Sequence, residues 1–355
     1  MKDYTSKTVY LGIDVHKSTY SVTAICEKTV IKKATLSADP EKLVAFCHNF
    51  FPNASIQSAY EAGFSGFSLH RTLEKNGIKN LVVHASGLEI ASGNKVKTDK
   101  RDSLKIASHL EAGRLKGIQV PSVELEEKRA VTRMRNSLSD HKVAVGNQIK
   151  SFLHHHGIFH LARNQKVSSK WVQSLKEISI REGLRFALDH LIDVWQQLHL
   201  KILNCNEQMK KQAAIDAALE TTYRSVPGIG PIAARVLANE LGDMSHFANE
   251  RQLFSYLGLT PSEYSSGEHV RRGHISRQGK PIIRKILVQT AWRAIKNEGQ
   301  LKEAYDRIST KSGGRRAIVA IARRLIGHIR ACFFKKCLYN VSISLENNTA
   351  NLKTA

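Results

Sequence analysis

The stretch that decides the fold is YLGIDVHK, from Tyr10 to Lys17, an apolar strand interrupted by one aspartate, Asp14. A carboxylate in the centre of a buried strand is costly unless a cation, a solvent opening or a metal ion compensates its charge. The meaning of Asp14 therefore depends on whether other carboxylates reach the same place.

The segments around this stretch predict a β-meander followed by alternating units. Residues 8–15, 20–27 and 29–36 are β-branched and apolar and are separated by short polar breaks, as expected for three strands. The elements predicted after the meander are a helix at 39–51, a strand at 55–62, a helix at 65–77, a strand at 79–85 and a helix at 102–113. This βββαβαβα order implies parallel additions to the meander and resembles the layout of the ribonuclease H superfamily.

Two long amphipathic segments follow this α/β region. Residues 122–156 and 182–218 carry apolar side chains at helical intervals with charged residues between them. Helices of this length joined by residues 157–181 predict an antiparallel helical hairpin with coiled-coil packing. A spacer and a dimerisation arm are both compatible with this pattern.

The C-terminal part combines a helix-hairpin-helix pattern with a high positive charge. The sequence VPGIGPIAARVLANEL (residues 226–241) predicts a helix that starts at Pro231 behind a turn containing Gly228 and Gly230. Glycines let such a turn approach a phosphate closely, and the N-terminus of the following helix attracts anions. Residues 270–336 carry 18 Lys and Arg against three acidic residues, within periodic apolar helices, so this region is a folded basic domain.

Composition narrows the class of partner. The 355 residues include 54 Lys and Arg against 31 Asp and Glu, a formal charge of +23, which favours a nucleic acid over a membrane surface. The sequence has no apolar run of the ~18 residues that a spanning helix needs, and its first residues lack a signal-peptide core. The five cysteines form no CxxC pair, which indicates a reduced, cytoplasmic protein without a structural zinc.

Four carboxylates are the candidates for catalysis. Asp14 is on the first strand and Glu61 ends the fourth, and these two strands are neighbours in a sheet of this layout. Asp99 and Asp102 are three residues apart at a helix start, which places them on one helix face. Four acids at one sheet edge predict a two-metal nuclease site, in which the metal would also compensate the charge of Asp14. The competing acids are Glu74, Glu89 and Glu111.

The sequence resembles the transposases and DNA invertases of bacterial insertion sequences, which join a RuvC-like DEDD domain to a serine-bearing C-terminal domain and include the pilin-gene invertases. The motifs GIDVHK, YEAG and KTDKRDS carry the N-terminal resemblance, and VPGIGPIAA, FANERQLFSYLGLTPSEYSSGE and RRGHISRQGKPIIRKIL carry the C-terminal one. One departure is Ser103, where the family more often has alanine. The resemblance covers nearly the whole chain.

The resemblance implies a fold, a cofactor and a nucleophile. The expected domains are a RuvC-like domain (1–118), a helical hairpin (119–220), a mainly helical helix-hairpin-helix and serine-bearing domain (221–340) and a flexible tail (341–355). The four acids are expected to bind Mg²⁺, with Mn²⁺ as an alternative, and Ser266 is expected to be the nucleophile, with Ser262, Ser265 and Ser276 as rivals. Phosphate charge would be countered by Arg271, Arg272, Arg277, Lys280 and Arg284, and the helix-hairpin-helix glycines would also contact nucleic acid.

The expected partners follow from the same resemblance. They are DNA, a structured guide RNA and further copies of the chain, in a dimer or tetramer whose active sites combine two chains. The function predicted is a DNA recombinase of a mobile element. A metal-dependent Holliday-junction or flap nuclease with a non-catalytic serine is the alternative, and a non-enzymatic nucleic-acid-binding protein is a third possibility.

Overall fold

The computed structural model describes residues 4–84, 99–263 and 271–339, in two compact units that divide after Ser122. The finer boundaries predicted after residues 118, 220 and 340 stay predictions. In the described residues, no helix combines the length and apolar character that crossing a membrane requires.

The first unit is a mixed sheet with helices. Its elements are β1 (Thr8–Val15), β2 (Thr19–Cys26), β3 (Thr29–Ser37), α1 (Pro40–Phe50), β4 (Ser55–Glu61), α2 (Ser68–Lys75), β5 (Lys79–Val83) and α3 (Asp99–Glu111). The strand order is β3-β2-β1-β4-β5. The meander pairs antiparallel, whereas β4 joins β1 and β5 joins β4 in parallel. Both the predicted meander and the predicted parallel additions are confirmed, and this order is consistent with an RNase H-like fold.

Alternation along β1 divides its side chains between two layers. Val9, Leu11 and Ile13 are fully buried in a core that also contains apolar side chains of α1 and α2. The residues between them face the opposite side of the sheet, because successive side chains of a strand point to opposite faces. On that second face Tyr10 packs against a small cluster that includes Ile106 of α3. The helix that carries two of the predicted acids therefore covers the face that Asp14 shares.

The second unit is mainly helical. Its elements are α4 (Val123–His155), α5 (Phe159–Ala162), α6 (Ser169–Ser174), α7 (Glu182–Ile215), α8 (Ala217–Arg224), α9 (Pro231–Leu241), α10 (Glu250–Tyr256), β6 (Pro261–Glu263), β7 (Arg272–Ile275), α11 (Pro281–Asn297), α12 (Gly299–Ser312) and α13 (Gly314–Lys335). A core of residues from α8 to α13 holds its C-terminal part together. The short antiparallel pair β6–β7 was not predicted from the sequence.

The predicted helical hairpin is confirmed as the packed pair α4 and α7. The side chain of Arg135 donates to Asn206, and Lys142 contacts both His199 and the Trp195 ring. Later residues of α4 therefore contact earlier residues of α7, so the two helices run antiparallel.

Candidate functional site

Asp14 and Glu61 end two neighbouring parallel strands in the same register. The pairing of β1 with β4 runs without a shift from Thr8↔Ser55 to Ile13↔Tyr60. One further step along both strands sets Asp14 beside Glu61. Residues that share a register position in parallel strands point to the same face of the sheet. Asp14 and Glu61 therefore lie at the same edge of the sheet, because β1 and β4 are the neighbours that the sequence predicted.

Gly12 brings α3 close to the strand that carries Asp14. A Cβ atom at Gly12 would lie 2.0 Å from the backbone oxygen of Ser103 and 2.4 Å from the backbone nitrogen of Ala107. Any side chain at this position would displace the helix backbone. The glycine of the GIDVHK motif is thus a condition for packing α3 on β1.

The direction of α3 turns its N-terminus towards the acids on the sheet. Tyr10 packs against the cluster that contains Ile106 and Leu110, whereas Gly12 lies beneath Ser103 and Ala107. Later residues of β1 therefore contact earlier residues of α3, so the two elements run in opposite directions.

Asp102 and Asp99 lie at the N-terminal end of α3, which is the end directed towards Asp14. Asp102 is half-buried in the first turn of the helix. Asp99 begins α3, but its side chain lies outside the part of the chain that the structure describes.

The serine that departs from the family pattern fixes the same packing. Ser103 is buried, and its hydroxyl group lies 2.9 Å from the hydroxyl of Thr23. Thr23 pairs with Gly12 across β1 and β2. This hydrogen bond links α3 to the sheet at the level of Gly12, a contact that alanine would not make.

His16 is a neighbour of Asp14 that the sequence analysis missed. Its Nε2 lies 3.1 Å from Oδ2 of Asp14, whose side chain is 21% exposed. His16 is the first residue after β1, and an extension of the strand alternation by one residue would have placed its side chain on the face of Asp14.

The structure does not bring Asp14, Glu61 and Asp102 together as a three-ligand metal site, although the side chains of all three are described. Among the side chains that the structure describes, no group of three or more His, Cys, Asp and Glu is close enough together to hold a metal ion. Magnesium is usually held by only one or two carboxylates and keeps several water ligands, so paired acids such as Asp14 and Glu61 suit it.

Two of the competing acids have partners elsewhere. Glu111, at the opposite end of α3, accepts a hydrogen bond from the backbone nitrogen of Lys28 at 2.7 Å. Glu74 accepts one from the backbone nitrogen of Asn80. Glu89 lies outside the described residues.

The segment with the predicted nucleophile connects β6 to β7. Pairing of Pro261 with Ile275 and of Glu263 with Arg272 brings the two ends of this connection together. Ser265 and Ser266 themselves lie outside the described residues.

The two rival serines are described, and each has a distinct environment. Ser262 donates its hydroxyl to the backbone oxygen of His274 at 3.2 Å. The hydroxyl of Ser276 is buried without a hydrogen-bond partner in the described part of the chain.

The predicted phosphate-binding cations have different surroundings. Arg271 and Arg277 are exposed, and the side chain of Arg272 lies outside the described part. Lys280 forms an ion pair with the buried Glu240. Arg284 donates to the backbone oxygens of Leu257 and Gln278 at 3.0 and 3.1 Å.

Burial lowers the pKa of Arg284, and the nearby charge of Arg277 acts in the same direction. This is the response expected of a cation in a crowded basic environment.

The helix-hairpin-helix turn packs on α11. Gly228 has φ +88°, and a Cβ atom there would lie 2.8 Å from Cβ of Arg293, whose guanidinium donates to the Gly228 oxygen at 3.2 Å. Gly230 precedes Pro231 at the N-terminus of α9, and a Cβ atom there would meet nothing within 4 Å. One glycine is therefore required by the fold, and the other leaves open space before the helix.

An ionic cluster that sequence reasoning missed lies at the C-terminal end of α9. Glu240 of α9 is 1% exposed and pairs with Lys280, with Arg133 at 2.8 Å and with Arg129 at 3.7 Å. Both arginines belong to α4. Glu240 thus ties the start of α11 and the long helix α4 to the helix-hairpin-helix.

Two family models match separate parts of the chain. A model of DEDD transposases of the IS110 type, described as "Transposase", matches residues 11–158. A model described as "Transposase IS116/IS110/IS902 family" matches residues 221–306. The first match contains all four predicted acids, and the second contains the helix-hairpin-helix turn and Ser266.

Curated relatives are transposases and an invertase. A putative transposase of Sinorhizobium fredii is 30% identical over 241 residues, which is 66% of this chain and 57% of the relative. The transposase for insertion sequence element IS1111A of Coxiella burnetii is 27% identical, over 64% of each chain. The pilin gene-inverting protein of Moraxella lacunata is 23% identical, over 81% of this chain and 82% of the relative.

The match to the Sinorhizobium protein spans a little more than half of that protein's length. The two domain models occur here in the order that joins a DEDD region to a C-terminal transposase region. The chain therefore belongs to the IS110/IS116/IS902 family of transposases.

Proposed function

We propose that this protein is a DNA recombinase of a mobile element that cuts and rejoins DNA at the carboxylate edge of its sheet. The observation that carries the proposal is the register of β1 and β4, which sets Asp14 beside Glu61 on the face that α3 covers. The five-stranded sheet and this acid edge support assignment of the first unit to the RuvC-like group of RNase H-like folds.

The acids have one task in this proposal. Asp14, Glu61, Asp99 and Asp102 would hold Mg²⁺, or Mn²⁺, at the sheet edge. A bound divalent ion supplies charge stabilisation to the attacking and leaving oxygens of a phosphodiester. Gly12 and Ser103 hold α3 against the sheet, which supports a placement of Asp99 and Asp102 at the same edge as Asp14 and Glu61.

The nucleophile we propose is Ser266. Its oxygen would bond to a DNA phosphorus while the bond to one deoxyribose oxygen breaks, the serine proton passing to a base and the leaving oxygen gaining a proton. The exposed Arg271 and Arg277, on either side of β7, support this because guanidinium groups match phosphate geometry in pairs of hydrogen bonds. Reversal of the same step on a second strand end rejoins DNA without an external energy source.

The partners we propose are DNA, a structured guide RNA and further copies of the chain. The charge of +23 is sufficient to bind both nucleic acids. Ser266 follows Asp102 by more than 150 residues and lies in the other compact unit. We therefore infer an oligomer in which one chain supplies the acids and another supplies the serine.

The test of this function replaces Asp14 by asparagine. In cells with a plasmid that carries the gene and its flanking DNA, recombination junctions counted by amplification should fall to background. Added Mg²⁺ should raise the thermal midpoint of the wild-type protein and not that of Asp14→Asn, because a ligand stabilises only the state that binds it. The variant should fold, since removing one of several like charges relieves repulsion.

The matched control is Glu111→Gln, which alters an acid at the other end of α3. It should recombine DNA and respond to Mg²⁺ as the wild type does. Recombination by Asp14→Asn at the wild-type rate would show that the acid edge is not the catalytic site.

A further inference from the structure

An aromatic pair, made of an exposed tryptophan and a partly buried tyrosine, lies in the most basic part of the chain. Trp292 of α11 is 43% exposed, and its ring centroid is 5.6 Å from that of Tyr305 on α12, with 59° between the ring planes. Single exposed apolar side chains are common on protein surfaces, so what distinguishes Trp292 is the positive charge around it. The pair is outside every group of residues proposed above to act on DNA.

The basic surroundings of the pair indicate the chemistry of what covers it. Lys296 follows Trp292 by one helical turn and is exposed. The next residue after Trp292 is Arg293, which donates to the turn of the helix-hairpin-helix. The tryptophan therefore lies on the same helix as two cations, one of which contacts the turn between α8 and α9.

The other side of the pair is bordered by cations too. A Cβ atom at Gly314 would lie 2.8 Å from the hydroxyl oxygen of Tyr305, so the start of α13 packs on the tyrosine. Arg315 and Arg316 follow directly and are exposed. Cations flank the aromatic pair on both sides, which is the pattern of a surface that binds bases on its rings and phosphates around them.

We propose that Trp292 and Tyr305 form a stacking platform for the bases of a single DNA strand. Stacking on an aromatic ring requires an unpaired base, because the faces of paired bases are covered by their neighbours in a duplex. A strand-exchange reaction produces such unpaired bases, so the inference rests on the proposed recombinase function. The ligand that we propose for this platform is DNA, because DNA is the substrate of that reaction.

The tryptophans of the chain give a direct optical test. The sequence has three, and Trp171 and Trp195 are 8% and 2% exposed. Trp292 is thus the tryptophan that a bound base can reach. Oligothymidine of about 15 nucleotides should quench the fluorescence of the full-length protein.

Three variants separate stacking from charge and folding. Trp292→Ala should weaken binding of oligothymidine about 5- to 150-fold, and leave binding of a duplex of equal length within about twofold. Trp292→Phe should keep most of the affinity but lose most of the quenching. Phe186→Ala removes an aromatic ring that is 68% exposed on α7. It should change neither the affinity for oligothymidine nor the fluorescence quenching.

Four results would overturn the platform. The first is equal affinity of Trp292→Ala and Phe186→Ala for oligothymidine, and the second is a loss of affinity in Trp292→Ala that is equal for duplex and single-stranded DNA. The third is a change of oligomeric state in Trp292→Ala. The fourth is tighter binding of oligouridine than of oligothymidine by the wild type, with the same loss of oligouridine affinity in Trp292→Ala. The third would assign the surface to a second copy of the chain, and the fourth would assign it to RNA. Failure of the wild-type protein to bind any DNA would overturn the proposed function together with the platform.

Discussion

At the scale of single residues, Glu240 shows how a buried charge is tolerated in this fold. Its carboxylate is 1% exposed but faces Lys280 and two arginines of α4. Such a group is expensive to remove from water and is held only by its partners. Replacing the acid leaves several cations close together without their counter-charge.

Glu240→Gln should therefore lower the free energy of unfolding by about 3 kcal/mol, measured by urea denaturation of the full-length protein. The matched control is Glu207→Gln, which removes an exposed ion pair with Lys210 on α7. That change should fall within about 0.5 kcal/mol of the wild type. Equal effects of the two substitutions would mean that the cluster behaves as a surface pair.

The contribution of Glu240 should depend on pH in one direction. Burial acts to raise its pKa, but the hydrogen bond from Arg133 and the charge of Lys280 outweigh burial and hold the pKa below the ordinary 4.5. A lowered folded-state pKa contributes stability above the unfolded-state pKa, and this contribution is lost as the pH falls through the folded-state value. The difference in unfolding free energy between the wild type and Glu240→Gln should be constant above pH 5 and shrink below 4.5.

Gly12 is a second position at which a single atom decides the packing. Gly12→Ala should force α3 away from β1, because the added Cβ meets the helix backbone at 2.0 Å and backbone cannot swing aside as a side chain can. We expect a loss of about 1–3 kcal/mol in unfolding free energy and a loss of recombination. Gly183→Ala in α7, whose Cβ would meet nothing within 4 Å, should be neutral or stabilising.

At the scale of elements, the helix-hairpin-helix turn contains one glycine that the packing requires, Gly228, and one that we propose to contact nucleic acid, Gly230. Gly228→Ala should reduce both stability and DNA affinity, because Gly228 has a positive φ and Arg293 packs against it. Gly230→Ala should keep the thermal midpoint but weaken DNA binding, because its Cβ would occupy the open space where a phosphate approaches α9. Normal DNA binding by a stable Gly230→Ala protein would remove this turn from the interface.

The order of elements was predictable because local patterns determine it. Alternation and β-branched residues predicted the strands from β1 to β5, and the Asp39-Pro40 pair predicted the start of α1, where Asp39 accepts from the backbone of Glu41. The same chain order implied that β4 would lie beside β1, which places Asp14 beside Glu61.

The contacts between distant segments were not predictable in this way. Neither the approach of α3 to Gly12 nor the cluster around Glu240 leaves a local pattern, since each joins residues that are far apart in the sequence, such as Gly12 and Ser103 or Arg133 and Glu240. The β6–β7 pair was missed because strands of three and four residues are too short for alternation to distinguish them from a turn.

At the scale of the whole molecule, the acids and the serine belong to different compact units of one strongly basic chain. In our account the sheet edge and the serine segment act on the same phosphodiester, while the basic second unit holds the nucleic acid around it. A hydrolytic nuclease would need the acids and the charge but no serine nucleophile. The nature of the protein–DNA intermediate therefore distinguishes the two accounts.

The most direct measurement is to trap that intermediate. Cells that carry the gene with its flanking DNA are lysed in denaturant, the protein is recovered, its DNA is digested, and mass spectrometry locates any nucleotide left on the chain. The account predicts a nucleotide on Ser266 in the wild type, none in Ser266→Ala, and far less in Asp14→Asn. DNA cleavage by Ser266→Ala at the wild-type rate, or a nucleotide on Ser265, Ser262 or Ser276 instead, would contradict it.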